Sequence, residues 1–251
     1  MSSAKISINI LTKNRSAELW QAILSVEQQS FKDYEIVVVD DGSTDNTKEI
    51  LENLKAEKFK NLKIITHAKS IGITASRQEA LLASTGEYVA YLDDDDEWID
   101  KDKLKKQVAY LDSHKEAVLC GGGIKVKLGI RNYKLRIRPQ EDKNIRRTML
   151  LRNNFFTSTV MFRREAAIEA GGFVKDEDDF AEDYDLWLRM GKLGDMHNFQ
   201  EAFTLYRLPN YNKARFKAFL NKQARLIAHN RSSYPGYWLA KAILEIRVLF
   251  N

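Results

Sequence analysis

Four β-branched residues in a row, Ile36, Val37, Val38 and Val39, run directly into Asp40 and Asp41. A run without polar alternation suits a strand covered on both faces, as inside a parallel sheet. Ile6–Leu11, Leu62–Thr66 and Tyr88–Leu92 read as companion strands. Helix-periodic segments lie between them: Ser16–Gln29, with Leu19, Trp20, Ile23, Leu24 and Val26; a stretch carrying Ile50, Leu51 and Leu54; and Ile73–Ala83. Ser43 and Thr44 are candidate caps for the second of these. Strands alternating with helices predict an α/β fold with a Rossmann-like, mostly parallel central sheet flanked by helices. Ligands of such sheets gather beyond the carboxyl ends of the strands. That points to Thr12–Arg15, Asp40–Asp45 and Asp93–Asp96, which are also the polar segments.

The second half is less regular. A helix is expected over Leu104–Leu111, strands over Ala117–Cys120, Ser158–Phe162 and Asn198–Tyr206, and a helix over Asp183–Met190. Between Ile124 and Arg138 basic and apolar residues alternate, as in an exposed strand or hairpin whose charges guard its edge. Ala214–Ala228 and Trp238–Phe250 read as two terminal helices. With 251 residues, 44% apolar and 30% charged, the chain is expected to fold as one catalytic domain with a helical tail. The division is placed at 1–208 and 209–251, with a regular first half over 1–100 and a less regular second half over 101–208.

Cys120 is the single cysteine, which excludes an internal disulfide and fits a reducing compartment. No uncharged stretch approaches the roughly 20 residues of a membrane span, and the first residues lack a secretory signal pattern. The expectation is therefore a cytoplasmic protein, at most peripheral at the inner face of the membrane. The net charge of +5 is unevenly placed. After Arg207 come Lys213, Arg215, Lys217, Lys222, Arg225, Arg231, Lys241 and Arg247 against one acid, Glu245. Such asymmetry fits an anionic partner or a solvated helical surface, with nucleic acid disfavoured. The tail could lie on a bilayer surface, pack on the catalytic domain, or meet a second subunit in a homo-oligomer.

Four adjacent carboxylates at a strand end, Asp93 to Asp96, repel one another and call for positive charge. Oxygen-rich sites suit Mg²⁺ or Mn²⁺, which in turn neutralise a diphosphate. Asp40 and Asp41 end a second strand, where a carboxylate can accept the imide N–H of a uracil. Gly72 and Arg77 offer a helix start and a guanidinium, both suited to phosphate. The acidic run from Asp176 to Asp185 can supply a general base. Acid enrichment at a helix start accounts for Asp176–Asp179 without any chemistry. His67, His114, His197 and His229 are scattered and read as structural or exposed.

The ordered set is more specific than any one motif. Thr12 to Arg15, Val39 to Asp45, Gly72 with Ala75 to Arg77, Leu92 to Asp96, Gly171 to Phe173 and Glu182 to Trp187 together resemble the family 2 glycosyltransferases over about residues 5–207. The resemblance implies the GT-A fold, a nucleotide-diphosphate sugar donor, a divalent cation (Mn²⁺ or Mg²⁺), a saccharide or lipid-linked acceptor, and inversion at the anomeric carbon. It assigns Thr12, Asn14, Arg15, Asp40, Asp41, Arg77, Asp93 and Asp94 to the nucleotide sugar, and Asp95 with Asp93 to the metal. It assigns Asp183 as catalytic base and sets Gly171, Gly172, Glu182 and Trp187 on the acceptor side. Two positions depart from the family pattern: Leu11 where a proline is usual, and Leu208 where many relatives carry a histidine. A nucleotidyltransferase or a Rossmann dehydrogenase would need a glycine-rich loop after the first strand, and Leu11 to Ser16 contain no glycine. A catalytically silent nucleotide-sugar-binding module differs only in lacking transfer.

Overall fold

The computed structural model describes residues 4–128, 132–175, 179–207 and 213–249. In chain order the elements are β1 (Ile6–Thr12), α1 (Ser16–Glu27), β2 (Tyr34–Asp40), α2 (Thr47–Glu57), β3 (Leu62–Thr66), α3 (Ile73–Ala83), β4 (Tyr88–Tyr91), β5 (Glu97–Trp98) and α4 (Lys103–Ser113). They continue with β6 (Ala117–Lys127), β7 (Tyr133–Arg136), α5 (Asp142–Thr148), β8 (Met161–Arg163), α6 (Arg164–Glu169), α7 (Glu182–Met190), β9 (Asp195–Tyr206), α8 (Lys213–His229) and α9 (Tyr237–Leu249).

The strands form one sheet in the order β3-β2-β1-β4-β8-β6-β9-β5, with β7 on the edge of β6. β3, β2, β1 and β4 are parallel. Every residue of β2 is buried, as its unbroken apolar run requires. β8 joins β4 antiparallel and carries the sheet into the second half. Side chains on the two faces form two large buried clusters, one around Ile8, Ile36 and Leu104, the other around Phe162, Trp187 and Met149.

Several elements differ from the sequence expectation. Thr157–Thr159 is a 3₁₀ turn, so the strand expected from Ser158 begins only at Met161. The expected strand over Ala117–Cys120 and the basic segment after Gly123 are one eleven-residue strand, β6, which passes straight through Gly121, Gly122 and Gly123. Those glycines are required by close approach. A Cβ on Gly122 would clash with the edge of the Phe203 ring, which is itself fully buried on β9. The hairpin pairs Ile124 to Lys127 with Tyr133 to Arg136, and the latter four are all exposed. Short elements α5, α6 and β5 carry too few residues for a periodic signal. The domain boundary expected at 208–209 lies outside the described residues, as do Leu208, Asp176 to Asp178 and Phe250.

α8 and α9 pack on the second cluster. Leu220, Leu226, Ile227, Tyr234, Ala240 and Leu244 are buried together with Ile145, Met149, Tyr184 and Leu188. Tyr234 Oη donates to the carbonyl of Leu188 at 2.9 Å, and Gln223 Nε2 to that of Leu151 at 3.2 Å. Among the described residues no helix is long and apolar enough to cross a membrane.

Gly122→Ala should overpack the β6–β9 contact and destabilise the protein by about 1–3 kcal/mol. The urea midpoint would fall at unchanged slope. An unchanged midpoint would show that the Phe203 ring can move aside.

Candidate active site

The carboxyl ends of β1, β2 and β4, the start of α3 and the segment before α7 surround an open cleft of about 570 Å³. Thr12, Arg15, Asp41, Ser76, Asp94 and Glu182 are among its lining residues. Thr12 Oγ1 and Ser76 Oγ are buried and make no hydrogen bond of good geometry among the described residues. Orphaned polar atoms beside a cleft are the mark of a ligand site, because a buried hydroxyl without a partner is costly.

Asp41 braces one wall. Its Oδ1 accepts from Ile71 N at 2.8 Å and faces His67 Nδ1 at 2.9 Å; its Oδ2 accepts from Ser70 Oγ and from Gly72 N at 3.2 Å. Burial tends to raise its pKa, but these donors outweigh it and hold the carboxyl down at about 2. Four donors take up the usual capacity of a carboxylate. Asp41 therefore anchors the turn between β3 and α3, and a base reaching it must share or displace a donor such as the Ser70 hydroxyl. His67 stands between Asp41 and Glu79, 2.6 Å from the latter, and the two acids raise its pKa against the effect of burial. This brace was invisible in the sequence, since it joins residues 41, 67 and 79 only through the fold.

Asp40 is internal. It is 1% exposed, and its Oδ1 accepts from Ser43 N at 3.0 Å, closing the turn after β2. The expected caps of α2 are displaced: Asp45 Oδ1 receives Thr47 N at 3.1 Å, whereas Ser43 Oγ accepts from Asn14 N at 2.8 Å. Asn14 Oδ1 in turn accepts from Thr44 N at 2.7 Å. Asn14, in the left-handed region at φ 54°, thus ties the β1 loop to the β2 loop rather than facing the cleft.

The acidic cluster after β4 splits into separate roles. Arg15 Nη1 bridges Asp94 Oδ1 at 2.8 Å and Asp95 Oδ2 at 2.9 Å. Burial pushes Asp94 up to about 6 against the pull of Arg15, and it raises Asp95 as well. Asp93 Oδ1 receives Arg77 Nη2 at 2.9 Å. Asp96 turns inward, accepting from Ser158 Oγ and, at 3.0 Å, from Arg207 N; its burial raises the pKa strongly. It belongs to the support of the loop.

No group of three or more His, Cys, Asp or Glu side chains converges as a ready metal cage among the described residues. Asp93 and Asp95 nevertheless fit a cation of the Mg²⁺ or Mn²⁺ type. Each gives only one carboxylate oxygen to a guanidinium, and such ions take one or two carboxylates with phosphates and water completing the shell.

Arg77 joins the two halves of the site. It is 4% exposed, its Nε stands 3.0 Å from Glu182 Oε1, and its guanidinium lies 5.2 Å from the centre of the Tyr91 ring. Burial opposes its charge, but Asp93, Glu182 and Asp183 more than compensate and raise its pKa. Glu182 is pushed up to about 7, chiefly by burial, with Arg77 pulling it down and Asp183 up. Asp183 sits beside it at the start of α7. Its Oδ2 accepts from Thr157 Oγ1 at 2.7 Å and Asn153 Nδ2 at 3.1 Å, which fixes the carboxylate in one orientation.

Three sequence expectations require correction. Trp187 is fully buried and packs 5.5 Å from the Phe162 ring, so it is a core residue that cannot touch an acceptor. Gly171 and Gly172, at φ 90° and 65°, terminate α6 through bonds to Ile168 O and Ala167 O, and Phe173 N donates to Gln78 on α3. They position α3 rather than line the cleft. Asp179 does not serve α7: its two oxygens accept Ile73 N at 3.1 Å and Thr74 N at 3.0 Å, occupying the α3 N-terminus expected to receive phosphate.

The Asp41 brace predicts a pH signature. The folded pKa lies below the ordinary 3.8, so its stabilisation is present above pH 4 and is lost as pH falls towards 2. Asp41→Asn should cost about 2 kcal/mol at pH 7 by urea unfolding, and the gap to wild type should close near pH 2–3. A gap independent of pH would contradict the charged brace.

Comparison with known proteins agrees with this geometry. The description "Glycosyl transferase family 2" matches residues 7–171. The putative glycosyltransferase EpsE of Bacillus subtilis is 32% identical over 211 residues, covering 82% of this chain and 73% of the relative. Among solved structures, S. aureus TarS 1–349 in complex with UDP-GlcNAc superposes with TM-score 0.70 at 21% identity, over 89% of this chain. The chain spans 66% of that protein, slightly under two thirds. The mannosyltransferase PcManGT from Pyrobaculum calidifontis, in complex with GDP-Man and Mn²⁺, gives TM-score 0.72 at 16% identity, over 97% of this chain and 70% of that one. The two structures share the GT-A fold with this sheet and its flanking helices. The chain belongs to glycosyl transferase family 2.

Proposed function

We propose that the chain is an inverting glycosyltransferase that moves a sugar from a nucleotide-diphosphate donor, a UDP-sugar first among candidates, to an acceptor hydroxyl. The observation that carries this reading is the buried guanidinium of Arg77, which contacts both Asp93 of the acidic cluster and Glu182 beside Asp183. It joins a donor side and a base within one cleft. The ligands named for the two solved neighbours support a nucleotide-diphosphate donor, and their different bases leave uridine against guanosine to experiment.

On this reading the nucleotide lies along Thr12, Ser76 and the Asp41 turn, where the orphaned hydroxyls of Thr12 and Ser76 find partners. Arg15 and Asp94 border the ribose and donor sugar. Asp95 and Asp93 would hold the divalent cation, which when bound supplies charge neutralisation for the leaving diphosphate. Arg77 Nη1, without a hydrogen-bond partner among the described residues, is a further donor for that charge. Asp183, held by Thr157 and Asn153, takes the proton from the acceptor hydroxyl as its oxygen attacks the anomeric carbon. The bond to the diphosphate breaks in the same displacement, so the configuration inverts. No protein nucleophile is needed.

The acceptor class we infer is a saccharide or lipid-linked saccharide of bacterial surface-glycan assembly. Residues 1–208 would form the catalytic domain and 209–251 its extension, in the cytoplasm; the single, buried Cys120 supports that location.

In a thermal-shift screen of nucleotide sugars, the true donor should raise the melting temperature with Mn²⁺ or Mg²⁺ and lose most of that effect in EDTA. Asp183→Asn should keep the donor-induced shift while transfer falls about 10²–10⁴-fold. Wild-type turnover by that variant would remove Asp183 as base. A wild-type chain that binds donor without transferring would favour the silent module.

A further inference from the structure

The basic segment after Gly123 divides between the two faces of its hairpin. Lys125 and Lys127 are exposed on one face, beside Leu135 and Tyr133 of β7. Arg136 lies on the other, opposite the buried Ile124. Beyond β7, Arg138 is half-buried, with its guanidinium 4.8 Å from the centre of the Phe156 ring. Its Nε is buried and makes no hydrogen bond among the described residues. Burial lowers the pKa of Arg138, and the charges of Arg152 and Arg136 lower it further. None of these three arginines forms an ion pair with a described residue. Arg15, Arg77 and Arg189, by contrast, each pair with a carboxylate.

Holding like charges together, one of them half-buried, is costly without a counter-charge. The fold nevertheless gathers them. Asn198 Nδ2 donates to the carbonyls of Pro139 and Asn154, both at 3.1 Å, and so clamps the chain just after Arg138 to the chain just after Arg152. That second segment also holds the proposed base. Asn153, next to Arg152, and Thr157, next to Phe156, are the two side chains that donate to Asp183 Oδ2. The three arginines are not among the residues lining the cleft assigned to the donor. Their charge therefore falls to the acceptor rather than to the nucleotide. Guanidinium groups suit phosphate in particular, because their forked donors match its oxygens.

We propose that Arg136, Arg138 and Arg152 form a phosphate subsite for the acceptor, so that the hydroxyl served by Asp183 belongs to a saccharide bearing a phosphate or diphosphate. The anion fills the place that a carboxylate takes beside the other arginines, and it offers the orphaned Nε of Arg138 a partner. Bound there, it would hold the acceptor against the segment that orients Asp183. That the anion belongs to the acceptor rests on the transferase reading; that these arginines bind an anion does not.

The test is calorimetric titration of the full chain with inorganic pyrophosphate in EDTA. Arg138→Gln with Arg152→Gln should weaken binding about tenfold or more, as expected for lost hydrogen bonds to a charged group. Arg136→Glu with Arg152→Glu, both at exposed positions, leaves the half-buried Arg138 in place and should abolish binding. Lys125→Glu with Lys127→Glu removes charge from the opposite face and should leave the affinity close to that of wild type. An equal loss in this last variant would reveal a general charge effect and overturn the proposal. So would unchanged affinity in either arginine variant, or no binding by the wild-type chain. Undecyl diphosphate and glucose 1-phosphate then separate the sources. Tighter binding of the first, lost in the arginine variants, supports a lipid-linked diphosphate; tighter binding of the second, equally lost, supports a soluble sugar phosphate. Failure of every nucleotide sugar to bind would sink the transferase reading and leave the anion site, while a failed pyrophosphate test leaves transfer to an uncharged acceptor intact.

Discussion

A buried guanidinium must be matched by carboxylates, and Arg77 is matched from two directions. Asp93 approaches from the end of β4 and Glu182 from the start of α7. An unpaired charge at 4% exposure would be costly, so the fold must bring these two chain segments together around α3. The converse also holds. Asp93, Glu182 and Asp183 could not sit so close without the cation, and burial already pushes Glu182 up to about 7 with Arg77 present. The interaction thereby sets the spacing between the acidic cluster after β4 and the start of α7, where Asp183, the base we propose, is placed.

Most other features of the site serve that spacing. Gly171 and Gly172 end α6 so that Phe173 N reaches Gln78, the neighbour of Arg77. Arg189 on α7 donates to the carbonyls of Ala170 and Gly172, and so holds the same turn from the other side. Asp179 fastens the segment before α7 to the first amides of α3. The Asp41 brace holds the turn that starts α3. α3 is thus fixed at its start and at the turn holding Gln78, and Arg77 is presented at one place.

The parallel half of the sheet was legible because short apolar strands alternate with helix-periodic segments, and because β2 and β4 run into carboxylates. Thr12, Asp41, Arg77, Asp94 and Glu182 do converge as their positions suggested. What the sequence could not reveal was direction. Four consecutive aspartates look equivalent as letters, yet Asp96 faces inward to Ser158 while Asp94 and Asp95 face Arg15. Trp187 shares a motif with Glu182 and Asp183, but on a helix it lies more than a turn away from them and enters the core. His67 acts through Asp41 and Glu79, 26 and 12 residues away, and Asp179 through amides more than 100 residues away, and no local pattern announces them. The three glycines of β6 answer to neighbours far along the chain: the Asn198 and Phe155 side chains at Gly121, the Phe203 ring at Gly122, and the backbone of Arg136 and Glu201 at Gly123.

The account rests on one displacement within a cleft that joins donor side and base, without a covalent sugar on the protein. The most direct measurement is the anomeric configuration of the first product, followed by proton NMR with the donor identified by binding. An α-linked nucleotide sugar should give a β-linked product. Retention of the donor configuration would contradict the account, because a single direct displacement inverts the anomeric carbon.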